Sequence, residues 1–214
     1  MTTLTVADRV AGAAPMRRRA TVSRHLMSAL ARLDVSGVEH VPPHGPVVLA
    51  ANHAAFLDGV LLFGLAPRPV SFVVKSEAFV PGIAGLVLEP SGQLPVRRDR
   101  VDPYPVRMSL RVLDAGGVVG MFPEGTRGDG SVRAVKPGAG YLAVKSGAAV
   151  VPVACHGTAA IAHRRTVRRP PVRVVFGAPL QVERRAGVVN RAVWLAASDR
   201  IRTALAEHVR ATTP

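Results

Sequence analysis

Short apolar runs, separated by glycine, proline and polar clusters, punctuate the chain. Residues 46–51, 69–74, 92–96, 117–122, 149–154 and 172–176 have the length and β-branched content of strands. Residues 35–41 form a further short strand ending at the turn Pro42-Pro43-His44-Gly45. Stretches of helical period lie between them. Residues 59–65 follow the first core run, and 81–88 read as a small apolar helix or loop. Val106, Leu110 and Leu113 recur at helical spacing, with Arg107 and Arg111 on the other side. Residues 141–146 read as a helix stopped by Gly147. Val193, Ala197, Ile201, Leu205 and Val209 line one stripe of a final helix over 188–209. Strands that alternate with helices predict an α/β fold: a single domain with a mostly parallel or mixed central sheet flanked by helices. Pro152 has no amide to donate, so it predicts an edge or a strand end for 149–154.

The start of the chain is different. Residues 1–15 show no period and read as a flexible tail. Residues 16–34 read as an amphipathic helix, with Val22, Leu26, Leu30 and Leu33 on one face and Arg18, His25, Ser28 and Arg32 on another. Arg17-Arg18-Arg19 precede the apolar stripe. Two readings stand: a helix lying on an anionic membrane surface, or one packed on its own domain with a solvated basic end.

Composition narrows the class. The 214 residues are 48% hydrophobic, enough for one domain with a substantial core. The single cysteine, Cys155, excludes an intrachain disulfide framework and a cysteine-based zinc site, and no metal is expected. Net charge is +14, with 25 Arg and only 3 Lys among the 28 basic residues. Such a surface seeks anions. Eleven arginines between Arg164 and Arg210 face only Glu183, Asp199 and Glu207, which fits a membrane-facing patch or a solvated surface. Nucleic acid is not an expected partner, because one Trp and two Tyr offer little for stacking and no recognition motif appears. No run approaches the roughly 18 apolar residues of a membrane span. The expectation is a cytoplasmic protein, peripheral to the inner face of the membrane.

The candidate chemistry begins at Asn52-His53-Ala54-Ala55-Phe56-Leu57-Asp58, between a strand and a helix. On a continuous helix His53 and Asp58 would point about 140° apart. With His53 in the loop and Asp58 in the first helical turn, the carboxylate can reach one imidazole nitrogen and leave the other as a base. Taken alone, the pair reads more readily as a satisfied junction histidine beside an acid that favours the helix dipole. A second segment, Pro123-Glu124-Gly125-Thr126-Arg127, also follows a core strand directly, and Arg98 follows a third. In open α/β sheets, ligands bind beyond the carboxyl ends of the strands. If the strands are neighbours, His53, Asp58, Glu124 and Arg127 converge, and guanidinium groups suit a phosphate.

These segments form four ordered blocks: Asn52 to Asp58, Gly92-Gln93-Leu94-Pro95-Val96-Arg97-Arg98, Phe122 to Arg127, and Val151-Pro152-Val153. In order and rough spacing they resemble the glycerolipid acyltransferase family, typified by 1-acylglycerol-3-phosphate acyltransferases. Lys75 to Phe79 and Lys136-Pro137-Gly138-Ala139-Gly140 match as well, so the resemblance runs from about residue 38 to about 180. It implies acyl transfer from acyl-coenzyme A or acyl carrier protein, as co-substrate and without a cofactor. The acceptor would be the hydroxyl of a phosphorylated lysolipid such as lysophosphatidic acid.

By that resemblance His53 is the general base and Asp58 orients it. Arg98, Glu124, Gly125, Thr126 and Arg127 belong to the acceptor-binding blocks, with Glu124 on polar groups other than the phosphate. Lys136 is a further residue for an anionic substrate, and Asn52, Pro123 and Pro152 shape the site. No enzyme nucleophile is needed, no Gly-x-Ser-x-Gly elbow occurs, and Cys155 reads as a packed residue. The family often carries an acid where this chain has Arg97, which leaves the phosphate anchor open between Arg97 and Arg98. Many members also have N-terminal membrane-embedded helices. Here residues 16–34 alone precede an acyltransferase domain over 35–214, which implies peripheral attachment. Another lysolipid, amino lipid or glycolipid acceptor and, in a different class, a basic non-catalytic lipid- or nucleic-acid-binding protein are the alternatives.

Overall fold

A computed structural model describes residues 13–79, 92–97, 102–125, 128, 130–162 and 169–214. Its elements in chain order are α1 (Ala13–Leu30), β1 (Arg32–Ser36), β2 (Val47–Ala51), α2 (Asp58–Leu65), β3 (Val70–Lys75), β4 (Leu94–Val96), α3 (Tyr104–Asp114), β5 (Val118–Met121), α4 (Gly138–Ser146), β6 (Ala149–His156), α5 (Ala159–Ala162), β7 (Pro171–Phe176) and α6 (Arg191–Thr212). The described strands form one seven-stranded sheet in the order β1-β7-β6-β2-β5-β3-β4. All neighbours run parallel except β6 and β7. The expected mixed, mostly parallel sheet is therefore present.

Both faces of this sheet are covered, which is why its central strands read as unbroken apolar runs. All five residues of β2 are buried. Val47, Leu49 and Ala51 join Val151, Val153 and Cys155 on the face covered by Met27 of α1 and by Leu61 and Leu62 of α2. Val48 and Ala50 join Val119 and Val150 on the face covered by α3, α4 and α6, through Val112, Leu142, Ala143 and Ile201. Burying β2 on both sides fixes its register, since a one-residue slip would exchange the two cores. The residues that follow β2 are thereby held at a defined place on the sheet edge.

Two expectations are corrected here. The first helix spans Ala13–Leu30 and ends before Arg32–Ser36, which pairs with β7. Its inward face carries Met16, Ser23 and Met27, while Val22 is 68% and Leu26 52% exposed. The reason is a close crossing with α2. Gly64 has no Cβ, so the backbone at Ser23 and Arg24 lies directly against it, and the Ser23 hydroxyl donates to the Val60 carbonyl at 2.7 Å. A small polar residue is buried there because its hydroxyl is satisfied. Second, Pro152 lies inside the sheet, between β2 and β7. Its carbonyl accepts from Gly177 N–H at 2.8 Å, so its nitrogen also faces the β7 side, where the ladder begins only at Val153. The missing donor falls in a gap in the pairing.

Of the expected tail over 1–15, residues 1–12 lie outside the described residues and 13–15 belong to α1; the segment 81–88 lies outside the described residues entirely.

Candidate active site

β2 ends at Ala51, and α2 begins at Asp58. Between them the chain turns so that three donors meet one carboxylate oxygen. His53 Nδ1–H, Ala54 N–H and Ala55 N–H donate to Asp58 Oδ2 at 2.9, 2.9 and 2.8 Å. Asp58 is fully buried as the first residue of α2, where the helix dipole favours negative charge. A carboxylate only accepts, so Nδ1 carries the proton and Nε2 keeps the lone pair in the neutral ring. Nε2 has no hydrogen bond among the described residues, and the His53 side chain is 18% exposed. Asp58 Oδ1 is buried without a partner among them.

The plane of the imidazole is set by an aromatic column. The ring stacks on Phe122 with centroids 4.1 Å apart and planes at 20°. Phe122 in turn stacks on Phe72 at 5.6 Å. Phe72 fits because β5 has glycine at 120, where any Cβ would overlap the Phe72 ring. No local pattern announces this column, although Phe122 opens the third block.

That block binds the main chain of His53. Phe122 to Gly125 form a turn closed by Gly125 N–H donating to the Phe122 carbonyl at 2.9 Å, with Gly125 at φ +73°. Glu124 Oε1 accepts from His53 N–H at 2.8 Å. Gly128 N–H donates to the His53 carbonyl at 3.0 Å. Lys136 N–H donates to the Pro123 carbonyl at 2.7 Å. Its side chain runs across bare Gly125, where a Cβ would collide with Cδ and Cε.

Asn52 joins the first block to the end of β6. Its Oδ1 accepts from Cys155 N–H at 2.7 Å, and its Nδ2 donates to the carbonyls of Cys155 at 3.1 Å and Gly130 at 3.5 Å. The side chain adds one more rung to the β2–β6 ladder. Cys155 itself is buried, and burial, helped by the charge of Asp58, holds its thiol pKa well above the usual value. Burial of this kind fits a packed residue.

The structure thus brings together Asn52, His53, Asp58, Pro123, Glu124, Gly125 and Lys136. Pro152 pairs with Ala50, two positions before Asn52. Arg98, Thr126 and Arg127 lie outside the described residues. Arg97 is described: it follows β4, whose C-terminal end shares the sheet edge with those of β3, β5 and β2. Asp102 accepts from the N–H groups of Arg97 and Tyr104, tying the end of β4 to the start of α3. Among the described residues no group of three or more His, Cys, Asp or Glu could hold a metal ion.

A family model described as Acyltransferase matches residues 32–156, more than half of the chain, and spans both segments that meet at His53. The chain belongs to the acyltransferase family. The chloroplastic 1-acyl-sn-glycerol-3-phosphate acyltransferase of Arabidopsis thaliana is 31% identical over 170 residues, covering 75% of this chain and 47% of that protein. The 1-acyl-sn-glycerol-3-phosphate acyltransferase of Bacillus subtilis is 27% identical over 156 residues, covering 72% of this chain and 77% of the relative. The chain spans about half the length of the plant relatives it matches. In fold it is similar to the crystal structure of a 1-acyl-sn-glycerophosphate acyltransferase from Thermotoga maritima. That likeness has a TM-score of 0.67 at 20% identity and covers 93% of this chain and 81% of the other.

Within this acyltransferase fold, the Asn52 rung has a measurable role. Asn52→Asp keeps an acceptor for Cys155 N–H but turns a carboxylate toward the carbonyls of Cys155 and Gly130. We expect a loss of about 2–3 kcal/mol in urea unfolding. An unchanged midpoint would show that the amide is no rung of the ladder.

Proposed function

We propose that this chain transfers a fatty acyl group from acyl-coenzyme A or acyl carrier protein to the free hydroxyl of lysophosphatidic acid, giving phosphatidic acid. The observation that carries the reading is the His53–Asp58 pair: Nδ1 tied at 2.9 Å to a buried carboxylate, Nε2 without a partner among the described residues. The names of the relatives support the choice of acceptor.

In this mechanism His53 Nε2 takes the hydroxyl proton as the acceptor oxygen attacks the thioester carbonyl. Asp58 stabilises the imidazolium that forms. The tetrahedral intermediate collapses, the C–S bond breaks, and the imidazolium returns its proton to the leaving thiolate. The new ester and the free thiol balance the reaction. Proton transfer of this kind is typically worth about 10²–10⁴ in rate. Arg98, Thr126, Arg127 and Lys136 would bind the anionic acceptor, with Arg97 as the other choice of phosphate anchor.

The catalytic unit of this reading is the acyltransferase domain over 35–214, with α1 as its membrane-facing element. Among the described residues no helix is long and apolar enough to cross a membrane. The outer face of α1 presents Val22 and Leu26 beside exposed Arg17 and Arg18, and Phe56 is exposed in the loop between His53 and Asp58. Apolar and basic side chains together favour attachment to an anionic surface. We assign the protein to the cytoplasmic side, peripheral to the inner face of the membrane.

The test is release of free thiol from a long-chain acyl-coenzyme A, with lysophosphatidic acid, with other lysolipids and with no acceptor. Release that depends on lysophosphatidic acid, with phosphatidic acid identified as product, is the expected result. Equal release without an acceptor would overturn the transferase reading. Release with a different lysolipid alone would overturn the acceptor.

A further inference from the structure

We propose that Glu124 is a positioning residue that holds the base through the main chain of His53, and is not a ligand of the acceptor. The inference rests on His53 acting as proposed above.

The β2 ladders run out just before His53. The β2–β5 pairing ends at Ala50 with Met121, and the β2–β6 pairing at Ala51 with Val153. Asn52 N–H still reaches the Val153 carbonyl, at 3.4 Å. His53 is the next residue, and its N–H has no strand carbonyl to meet. Glu124 supplies the acceptor, at 2.8 Å, and a hydrogen bond to a carboxylate is roughly twice as strong as one between neutral groups. On the other side of the residue, Gly128 N–H donates to the His53 carbonyl. Both peptide groups of His53 are therefore held by one loop, and the same loop supplies the Phe122 ring under the imidazole.

The alternative role is chemically awkward. A carboxylate repels the phosphate of the acceptor, and Glu124 Oε1 is already engaged by the His53 N–H. What Glu124 does at its observed position is fix where the Cα of His53 sits. Asp58 and Phe122 then fix the ring relative to that Cα. A displacement of about 1 Å in such a group can cost on the order of 10² in rate.

The test compares Glu124→Ala and Glu124→Gln with the parent, all shown to be folded by urea unfolding. Glutamine keeps a carbonyl oxygen where the carboxylate oxygen stands; alanine does not. We expect Glu124→Ala to lower kcat by about 10²-fold with the KM for lysophosphatidic acid little changed, and Glu124→Gln to restore most of the rate. Acyl-thioester hydrolysis without acceptor should fall in parallel with transfer, because water too needs the base. A raised acceptor KM with kcat intact would overturn the proposal, as would a glutamine variant as poor as the alanine one.

A readout independent of activity accompanies these rates. The chain has 7 histidines, so labelling with ¹⁵N-histidine gives few amide signals. The His53 amide proton, drawn downfield by the carboxylate, should move upfield in Glu124→Ala and return toward its place in Glu124→Gln. An amide that stays put in the alanine variant would overturn the proposal. Should the parent transfer acyl groups to no lysolipid, the proposed function fails, while the amide shift still decides whether Glu124 holds His53.

Discussion

Replacing His53 by alanine lowers the rate of acyl transfer by about 10²–10⁴ and leaves the fold in place. The rate falls because Nε2 is the group assigned to take the acceptor proton. The fold survives because the main-chain bonds of residue 53 remain: its N–H donates to Glu124 and its carbonyl accepts from Gly128 N–H. What stability loses is the stacking on Phe122, about 1 kcal/mol for an aromatic pair of this kind, and the Nδ1–H bond to buried Asp58, on the order of 1–3 kcal/mol, although Asp58 Oδ2 still accepts from the Ala54 and Ala55 N–H groups. Steady-state thiol release and urea unfolding on the same preparation check both halves. A His53→Ala protein within a few-fold of the parent rate would remove His53 as the base. A variant that unfolds would show that the ring, and not the main chain, holds this loop.

At Asp58 the charge and the hydrogen bonds can be separated. Asp58→Asn can keep a carbonyl oxygen where Oδ2 accepts its three donors, and its amide then occupies the place of Oδ1. We expect stability within about 1.5 kcal/mol of the parent. Transfer should still fall by on the order of 10²-fold or more, because a neutral amide does not stabilise the imidazolium. Asp58→Ala strips the partner from His53 Nδ1, Ala54 N–H and Ala55 N–H at once. Each buried group left unpaired costs about 1–3 kcal/mol, so this variant should lose several kcal/mol in unfolding as well as its activity. An asparagine variant with near-parent kcat would make Asp58 an anchor of the loop and nothing more.

Much of this site was readable in the chain because its parts are local or are repeated rules. The runs at 46–51, 117–122 and 149–154 are strands because they are apolar, β-branched and short, and each delivers its block to the same sheet edge. The five-residue offset of His53 and Asp58 makes sense only with one residue in a loop and the other opening a helix, and α2 does begin at Asp58. The failures have a common physical origin in contacts between distant segments. The stripe Val22 to Leu33 has good helical spacing, yet the buried face of α1 is decided by Gly64 on another helix and by a serine whose hydroxyl finds the Val60 carbonyl. Pro152 suggested an edge, yet an interior strand admits it because β7 starts pairing one residue later. The resemblance implies an acceptor contact for Glu124, and the bond that its Oε1 makes to the His53 main-chain N–H is one that no side-chain pattern announces. The Phe72–Phe122–His53 column depends on a glycine in β5 whose neighbours are set by strand order.

The same long-range contacts bear on how the protein comes to be active. The His53–Asp58 pair spans only 5 positions, whereas the bond from Glu124 spans 71 and that from Cys155 to Asn52 spans 103. A growing chain that already contains both members of the pair still lacks the loop and the strand that hold them. Closing loops of this length is slow, because the chain gives up its entropy before the contacts form. The contacts that hold the proposed base reach far along the sequence, and they are complete only when β6 lies beside β2.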